Sequence, residues 1–398
     1  MSVNRTNSKH NEDTKRQAEE KGITNMIKVC HLTSAHKSDD GRIFRKECKS
    51  LASCGYDVYL VSQGDSREEG GVHIIGLGNK PESRLARMFL FAKKVYNRAL
   101  ELNCDIYHIH DPELLPYAIK LKKHGKTVIF DSHENHTAQI LERQYLPLFS
   151  RKIISKLYRA YELSVVGKID AVITPCTFSG KNIFENSAKR TCIIANYSKL
   201  DEFYDSYDPN AVKEGYLCYT GTLNEANGVT DLVIASSKAG AKLVLAGTPS
   251  DYTERLSRLP EFSNVSYEGY VTHERVLEIM KHANIGAYIN RHVGQNGLVD
   301  TFGIKVYEFM AMGLPVIVDE TPYSVDMVRK YNFGICVKPN DTDGIAEAIK
   351  YLTQNAEKAE EMGKNGRKAV FEEFNWTTQE KVLFDLYKQL VVENKMGN

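Results

Sequence analysis

Asp300-Thr301-Phe302-Gly303-Ile304-Lys305-Val306-Tyr307-Glu308-Phe309-Met310-Ala311-Met312-Gly313-Leu314-Pro315-Val316-Ile317-Val318 is the stretch on which the fold turns. Val306, Phe309, Met310 and Gly313 recur at helical spacing, and an apolar run bounded by Pro315 follows, which predicts loop, short helix, glycine stop and buried strand. The first amide groups of such a helix have no internal partner and suit a phosphate, while Gly303 lets a ligand approach the backbone. Lys305 adds positive charge there. Glu308 lies one turn further on the same side, where a carboxylate can accept hydrogen bonds from two vicinal sugar hydroxyls. Nucleotide-sugar binding is the chemistry these residues predict.

Working outward, short apolar runs alternate with helical stretches. Ile27–Leu32, Tyr56–Val61, Asp105–Ile109, Lys126–Phe130, Asp170–Thr174 and Thr191–Ala195 read as strands in the first half. Tyr216–Thr220, Lys242–Gly247 and Ile285–Ile289 continue the series in the second. Such alternation predicts parallel, doubly wound sheets, whose ligands bind beyond the carboxyl ends of the strands. Polar residues gather there: Thr33–Phe44 after the first strand, His110-Asp111-Pro112-Glu113 after the third, and Asp131-Ser132-His133-Glu134-Asn135-His136 after the fourth. His133, Glu134 and His136 are also capable metal ligands.

A chain of 398 residues accommodates two domains, and 42% hydrophobic with 26% charged residues is a globular composition. The 52 basic and 51 acidic residues nearly cancel, which gives no case for nucleic-acid binding. No apolar run reaches the roughly 18–20 residues of a membrane span, and no secretory signal is visible. Eight cysteines lie scattered without C-x-x-C spacing and read as reduced cytosolic thiols. Residues 1–25 are polar and are expected to form a disordered tail. Basic residues accompany apolar ones around Met88–Phe91 and Ile153–Tyr158, a pattern suited to an anionic membrane.

Asp300 and Glu308, followed by Phe-Met-Ala-Met-Gly-Leu-Pro-Val-Ile, resemble the donor-site signature of retaining GT-B glycosyltransferases of family four. The segment His36-x-x-x-Asp40-x-Arg42-Ile43-Phe44 resembles that of a bacterial polysaccharide branch of this family. The resemblance extends over nearly the whole chain from Met26. It implies two Rossmann-like α/β domains facing a cleft: an acceptor-side domain over 26–197, a hinge over 198–214, a nucleotide-sugar domain over 215–372, and a terminal helix over 373–398 that crosses back to the first domain. It also implies metal-independent, retaining hexosyl transfer from a donor such as a UDP- or GDP-sugar, with no cofactor beyond it. The acceptor would be a glycan or a lipid-linked molecule in surface polysaccharide synthesis. The setting is cytoplasmic, peripheral on the inner face of the plasma membrane.

By the same resemblance, His110 and Asp300 hold the transferred sugar and Glu308 the donor ribose. Phe302, Gly303, Ile304 and Lys305 with Gly221, Thr222 and Asn227 face the diphosphate, and Tyr270 with Val271 faces the base. His36, Asp40, Arg42, Asp111, His133 and Glu134 line the acceptor side. This chain departs from the family pattern in four places: the paired glycines usual in the loop after the first strand are absent from Thr33–Phe44, and three single residues differ. Asp300 replaces the usual Glu, and Thr222 and Asn227 stand where an Arg and a Lys are common. Lys305 and Arg291 are expected to compensate for the lost charge. The departures leave open two other readings: a nucleotide-sugar epimerase, and a non-catalytic partner subunit.

Overall fold

The computed structural model describes residues 26–143, 146–292 and 297–396, so the tail expected over 1–25 lies outside the described residues. The chain divides into two compact units. The first holds the described residues up to Thr177, then Lys181–Ala195 and the chain from Gln379; the second holds Phe178–Gly180 and Asn196–Thr378.

Strands of the first unit are β1 (Lys28–Lys37), β2 (Asp57–Gln63), β3 (Arg67–Glu69), β4 (Val72–Gly76), β5 (Ile106–Ile109), β6 (Thr127–Asp131), β7 (Ala171–Thr174) and β8 (Thr191–Ile193). They form one sheet in the order β3-β4-β2-β1-β5-β6-β7-β8. Every pair is parallel except β3 with β4. β5, β6 and β7 are buried along their whole length, which explains why they are apolar apart from His108 and the end residues Thr127, Asp131 and Thr174. β1 extends past the expected Leu32, because Thr33 and Ser34 are buried and bonded to Asp111 rather than turned out as a loop. The hairpin of β3 and β4 was not expected. It turns on Gly70 and Gly71, at φ 61° and 77°, values that an L side chain rarely adopts.

The second unit contains β9 (Tyr216–Thr220), β10 (Lys242–Ala246), β11 (Val265–Tyr267), β12 (Ile285–Tyr288), β13 (Val316–Asp319) and β14 (Gly334–Val337). Their order is β11-β10-β9-β12-β13-β14, all parallel. Alternate residues feed two cores. Cys218, Val244, Val316 and Val318 pack in one, and Leu217, Tyr219, Leu243, Leu245 and Ile317 in the other. β11, which the sequence did not mark as a strand, ends at Tyr267, and the chain turns at Gly269 with φ 68°. Residues 198–214, read as a hinge, contain a helix at Asp201–Ser206 whose Phe203 is buried in the second unit's core. The last helix, Trp376–Met396, buries Leu383, Leu386, Tyr387 and Leu390.

Candidate functional site

In the second unit, the quoted stretch folds as the sequence predicts: helix Ile304–Ala311, Gly313 at φ 69°, then β13. Gly303 caps the helix without any side-chain hydrogen bond to its first amides. Its φ of −59° is open to any residue, so the need for glycine is one of space. A Cβ at Gly303 would lie 2.5 Å from the Tyr288 hydroxyl.

Gly221, Thr222, Tyr270, Val271 and Lys305 line one cavity of about 380 Å³, together with Gly247, Thr248 and Ser250. Tyr270 is 78% exposed and its ring is open to stacking. Lys305 Nζ donates to Glu308 Oε2 at 2.7 Å, so the carboxylate that would meet a ribose also fixes the lysine that would meet a phosphate. Glu308 is buried on the helix.

Other predicted residues take supporting positions. Asn227 Nδ2 donates to the Thr222 carbonyl at 2.8 Å, and the Tyr219 hydroxyl donates to the same oxygen at 2.9 Å. Asn227 therefore fastens the loop in place of supplying charge. Phe302 packs in an aromatic group with Tyr307, Tyr323 and Phe333. Asp300 accepts from the Gly180 amide at 2.7 Å. Asn227, Phe302, Gly303 and Ile304 do not line the cavity. Arg291 does not compensate as expected: Asp231 accepts from its Nε and Nη2 at 2.9 and 2.7 Å, and Glu225 accepts from its Nη1. Its charge is already matched within the unit.

Gly228 opens the next helix, Val229–Ala239, at φ 61°. A Cβ there would lie 2.1 Å from the Ile289 carbonyl oxygen, in backbone that cannot yield cheaply. Gly228→Ala is expected to cost about 1–3 kcal/mol, read as a lower urea midpoint with unchanged slope. An unaltered midpoint would refute this packing.

In the first unit, residues at the ends of β1, β5 and β6 form a dense polar group. Asp111 Oδ2 accepts from Thr33 Oγ1 at 2.8 Å and from the Ser34 amide at 2.6 Å. Asp40 Oδ1 accepts from the Arg42 and Ile43 amides, each at 2.9 Å, capping the turn, while Oδ2 meets His36 Nδ1 at 3.1 Å. Burial opposes ionisation of Asp40, but the His36 contact and those amides hold it well below the ordinary range. The bond from Asp40 in turn raises His36.

Arg42, expected on the acceptor side, is 6% exposed. Its Nε and Nη2 donate to Asp131 at 2.8 and 3.0 Å, and its Nη1 donates to the Ile194 carbonyl at 2.8 Å. Burial alone would raise Asp131, but the charges of Arg42 and His133 outweigh it and hold that carboxyl well below the usual range.

His110 is 1% exposed, with Nε2 2.9 Å from His31 Nδ1 and Nδ1 3.2 Å from His133 Nε2. Burial pushes it down to about 4, leaving a neutral imidazole at physiological pH. His133, with its side chain 16% exposed, is the more open of the pair. Glu134 gives its carbonyl to the Ser132 hydroxyl at 3.1 Å. Among the described residues, His133, Glu134 and His136 do not converge as a ligand set.

Sequence reading missed His31, Glu47, His108 and Tyr387, all buried beside this group. The one signal available was a histidine inside each of two otherwise apolar strands.

Two parallel α/β units of this kind define the GT-B class of transferases. Residues 41–197 match the family model described as Glycosyltransferase Family 4, and residues 205–369 match that of Glycosyl transferases group 1. The two models follow one another along the chain, each over less than half of it, and together they mark it as a glycosyltransferase.

An uncharacterised glycosyltransferase of Methanocaldococcus jannaschii is 28% identical over 182 residues, 44% of this chain and 45% of that protein. This chain thus matches under half of that relative's length. Sucrose-phosphate synthase of Thermosynechococcus elongatus superposes with TM-score 0.72 at 19% identity, over 92% of this chain and all of that one. An Anabaena protein solved in complex with UDP-glucose superposes with TM-score 0.67 at 14% identity, over 91% of this chain and all of that one.

Proposed function

We propose that the chain transfers a hexosyl group from a nucleotide sugar to a glycan or lipid-linked acceptor, with retention and without a metal in the transfer step, in surface polysaccharide synthesis. The observation that carries this is the cavity where Gly221, Thr222 and Lys305 meet, with Glu308 bonded to Lys305. In the transfer, the bond between the sugar C1 and the diphosphate oxygen breaks. The acceptor oxygen bonds C1 on the same face, and the departing phosphate takes the acceptor proton. The uncapped start of helix Ile304–Ala311 and the Lys305 ammonium stabilise the charge that develops on the diphosphate. The UDP-glucose complex of the Anabaena protein supports a UDP-sugar as first donor to try, and the GDP-mannose-dependent mannosyltransferase of Mycobacterium tuberculosis, 28% identical over 37% of this chain and 40% of that protein, supports a GDP-sugar as the second.

Thermal unfolding with saturating UDP, GDP, ADP and CMP tests the donor site. One nucleotide at a hundred times its dissociation constant adds about 2.7 kcal/mol, a readable rise in Tm. No rise with any of the four would overturn the reading and favour a partner subunit.

The first unit supports an anionic, membrane-borne acceptor. On helix Leu148–Val166, Phe149, Ile153 and Leu157 follow at four-residue spacing and are 78%, 58% and 67% exposed, flanked by Lys152 and Lys156. Lys80, Arg84, Arg87 and Arg143 line a cavity of about 460 Å³ together with Glu82, an excess of positive charge even with Arg87 paired to Glu113 at 3.1 Å. No helix among the described residues is long and apolar enough to cross a membrane, so contact would be peripheral at the inner face. The chain is expected to sediment with anionic vesicles. Phe149→Asp combined with Leu157→Asp should release it, and equal sedimentation of that variant would exclude this face.

A further inference from the structure

His31 and His108 pair across β1 and β5, and His110 follows β5 directly. Glu47 reaches them from the helical turn Ile43–Cys48. None of the four is more than 1% exposed. One ligand atom from each lies within 4.8 Å of the others. His31 Nδ1 and His110 Nε2 are 2.9 Å apart, and Glu47 Oε2 is 3.9 Å from each. Four ligands held tetrahedrally at about 2.0–2.2 Å stand about 3.3–3.6 Å apart. The His110 ring lies at 16° to that of His31 and 22° to that of His108, so the imidazoles must turn about their side-chain bonds to bring three lone pairs onto one ion.

A second observation is independent of that spacing. Neither Glu47 oxygen accepts a hydrogen bond, and His108 Nε2 also lacks a partner. Arg42 Nε lies 3.1 Å from Glu47 Oε1, yet its hydrogen is directed to Asp131, as are the guanidinium's other bonds to Asp131 and Ile194. Arg42 thus offsets Glu47 by charge at Oε1 alone, while Oε2, which faces His31 and His110 at 3.9 Å, is left buried with no hydrogen-bond donor, a costly state that a second cation would relieve.

The outer nitrogens are also provided for. His108 Nδ1 lies 2.9 Å and His31 Nε2 3.5 Å from the Tyr387 hydroxyl. His110 Nδ1 lies 3.2 Å from His133 and 3.5 Å from Asp131. Ligating histidines are oriented in this way, with one nitrogen on the ion and the other on a polar group outside it.

We propose that His31, Glu47, His108 and His110 form a closed site for a zinc-like divalent cation in the first unit. Three imidazoles and one carboxylate suit zinc, and four protein ligands leave no position for substrate, so the ion would hold the sheet and its neighbouring helical turn together. His110 would then serve the ion in place of the transferred sugar that the family resemblance assigns to it. The adjacent group of His110, Asp131 and His133 fits less well, because Arg42 already binds both Asp131 oxygens.

The test is the metal content of the whole chain, purified without a polyhistidine tag and incubated with zinc chloride before desalting. About one zinc per chain is expected, and cobalt loaded in its place should give the strong visible bands of a four-coordinate ion. Glu47→Gln and His108→Gln should each retain less than about a tenth of the zinc, while His124→Gln, on the surface, should retain all of it. Absence of both zinc and cobalt bands in the unaltered chain would overturn the proposal. So would full zinc retention by the Glu47→Gln, His108→Gln double variant. If the variants fail to fold by circular dichroism, the cobalt spectrum of the unaltered chain decides alone.

Discussion

Glu308→Ala is expected to weaken nucleotide-sugar binding by about 10- to 100-fold, since hydrogen bonds to a charged group contribute about 1.5–3 kcal/mol. Two effects add. The carboxylate that would accept from the ribose hydroxyls is lost, and Lys305 loses the partner that fixes it at 2.7 Å. Glu308→Gln separates them, because the amide keeps the shape and can still accept from one hydroxyl while its charge is gone. Isothermal titration with UDP should therefore rank the natural chain above Gln and Gln above Ala. Equal affinity in all three would remove Glu308 from the donor site.

Arg42→Ala is expected to lower the stability of the first unit by about 3–5 kcal/mol, because it strands a buried carboxylate. Asp131 is fully buried and accepts two bonds from this guanidinium, and Glu47 lies 3.1 Å from the same Nε. Arg42→Lys should recover little, since an ammonium cannot reproduce the two-pronged contact. Adding Asp131→Asn to Arg42→Ala should recover part of the loss. Thermal unfolding of Arg42→Ala, Asp131→Asn and their double variant measures the coupling, and a double variant as unstable as the sum of its parts would show that the pair acts independently. A loss below about 1 kcal/mol would return Arg42 to the surface role that the sequence motif implies.

What the sequence made legible follows from how each signal arises. The helix from Ile304 and its strand could be read because the apolar spacing, Gly313 and Pro315 all agree locally. The parallel sheets could be read because strands buried on both faces are apolar with little interruption. The hairpin at Arg67–Gly76 escaped because β3 is only the polar Arg67–Glu69 and β4 has just Val72, Ile74 and Ile75 as an apolar signal beside Gly70-Gly71.

The site was half legible. Gly221, Thr222, Tyr270, Val271 and Lys305 converge as a loop-and-helix pattern suggests, since each follows a strand or starts a helix. Partners distant in sequence could not be foreseen. Arg291 looks like an available cation until Asp231, 60 positions away, is found bonded to it. Arg42 reads as a binding residue until Asp131, 89 positions on, takes both of its prongs. Nothing around Glu47 in the sequence says that it is buried among histidines.

Tyr387 adds a consequence in time. Its hydroxyl meets His108 across 279 positions, and Leu383, Leu386 and Leu390 on the same helix are buried with it. The first unit is thus begun by the earliest described residues and closed by almost the last ones. During synthesis, the intervening second unit emerges while the first still lacks its final helix. A ribosome pausing before residue 379 would hold a chain whose later-made unit can fold first, with the histidine strands waiting uncovered.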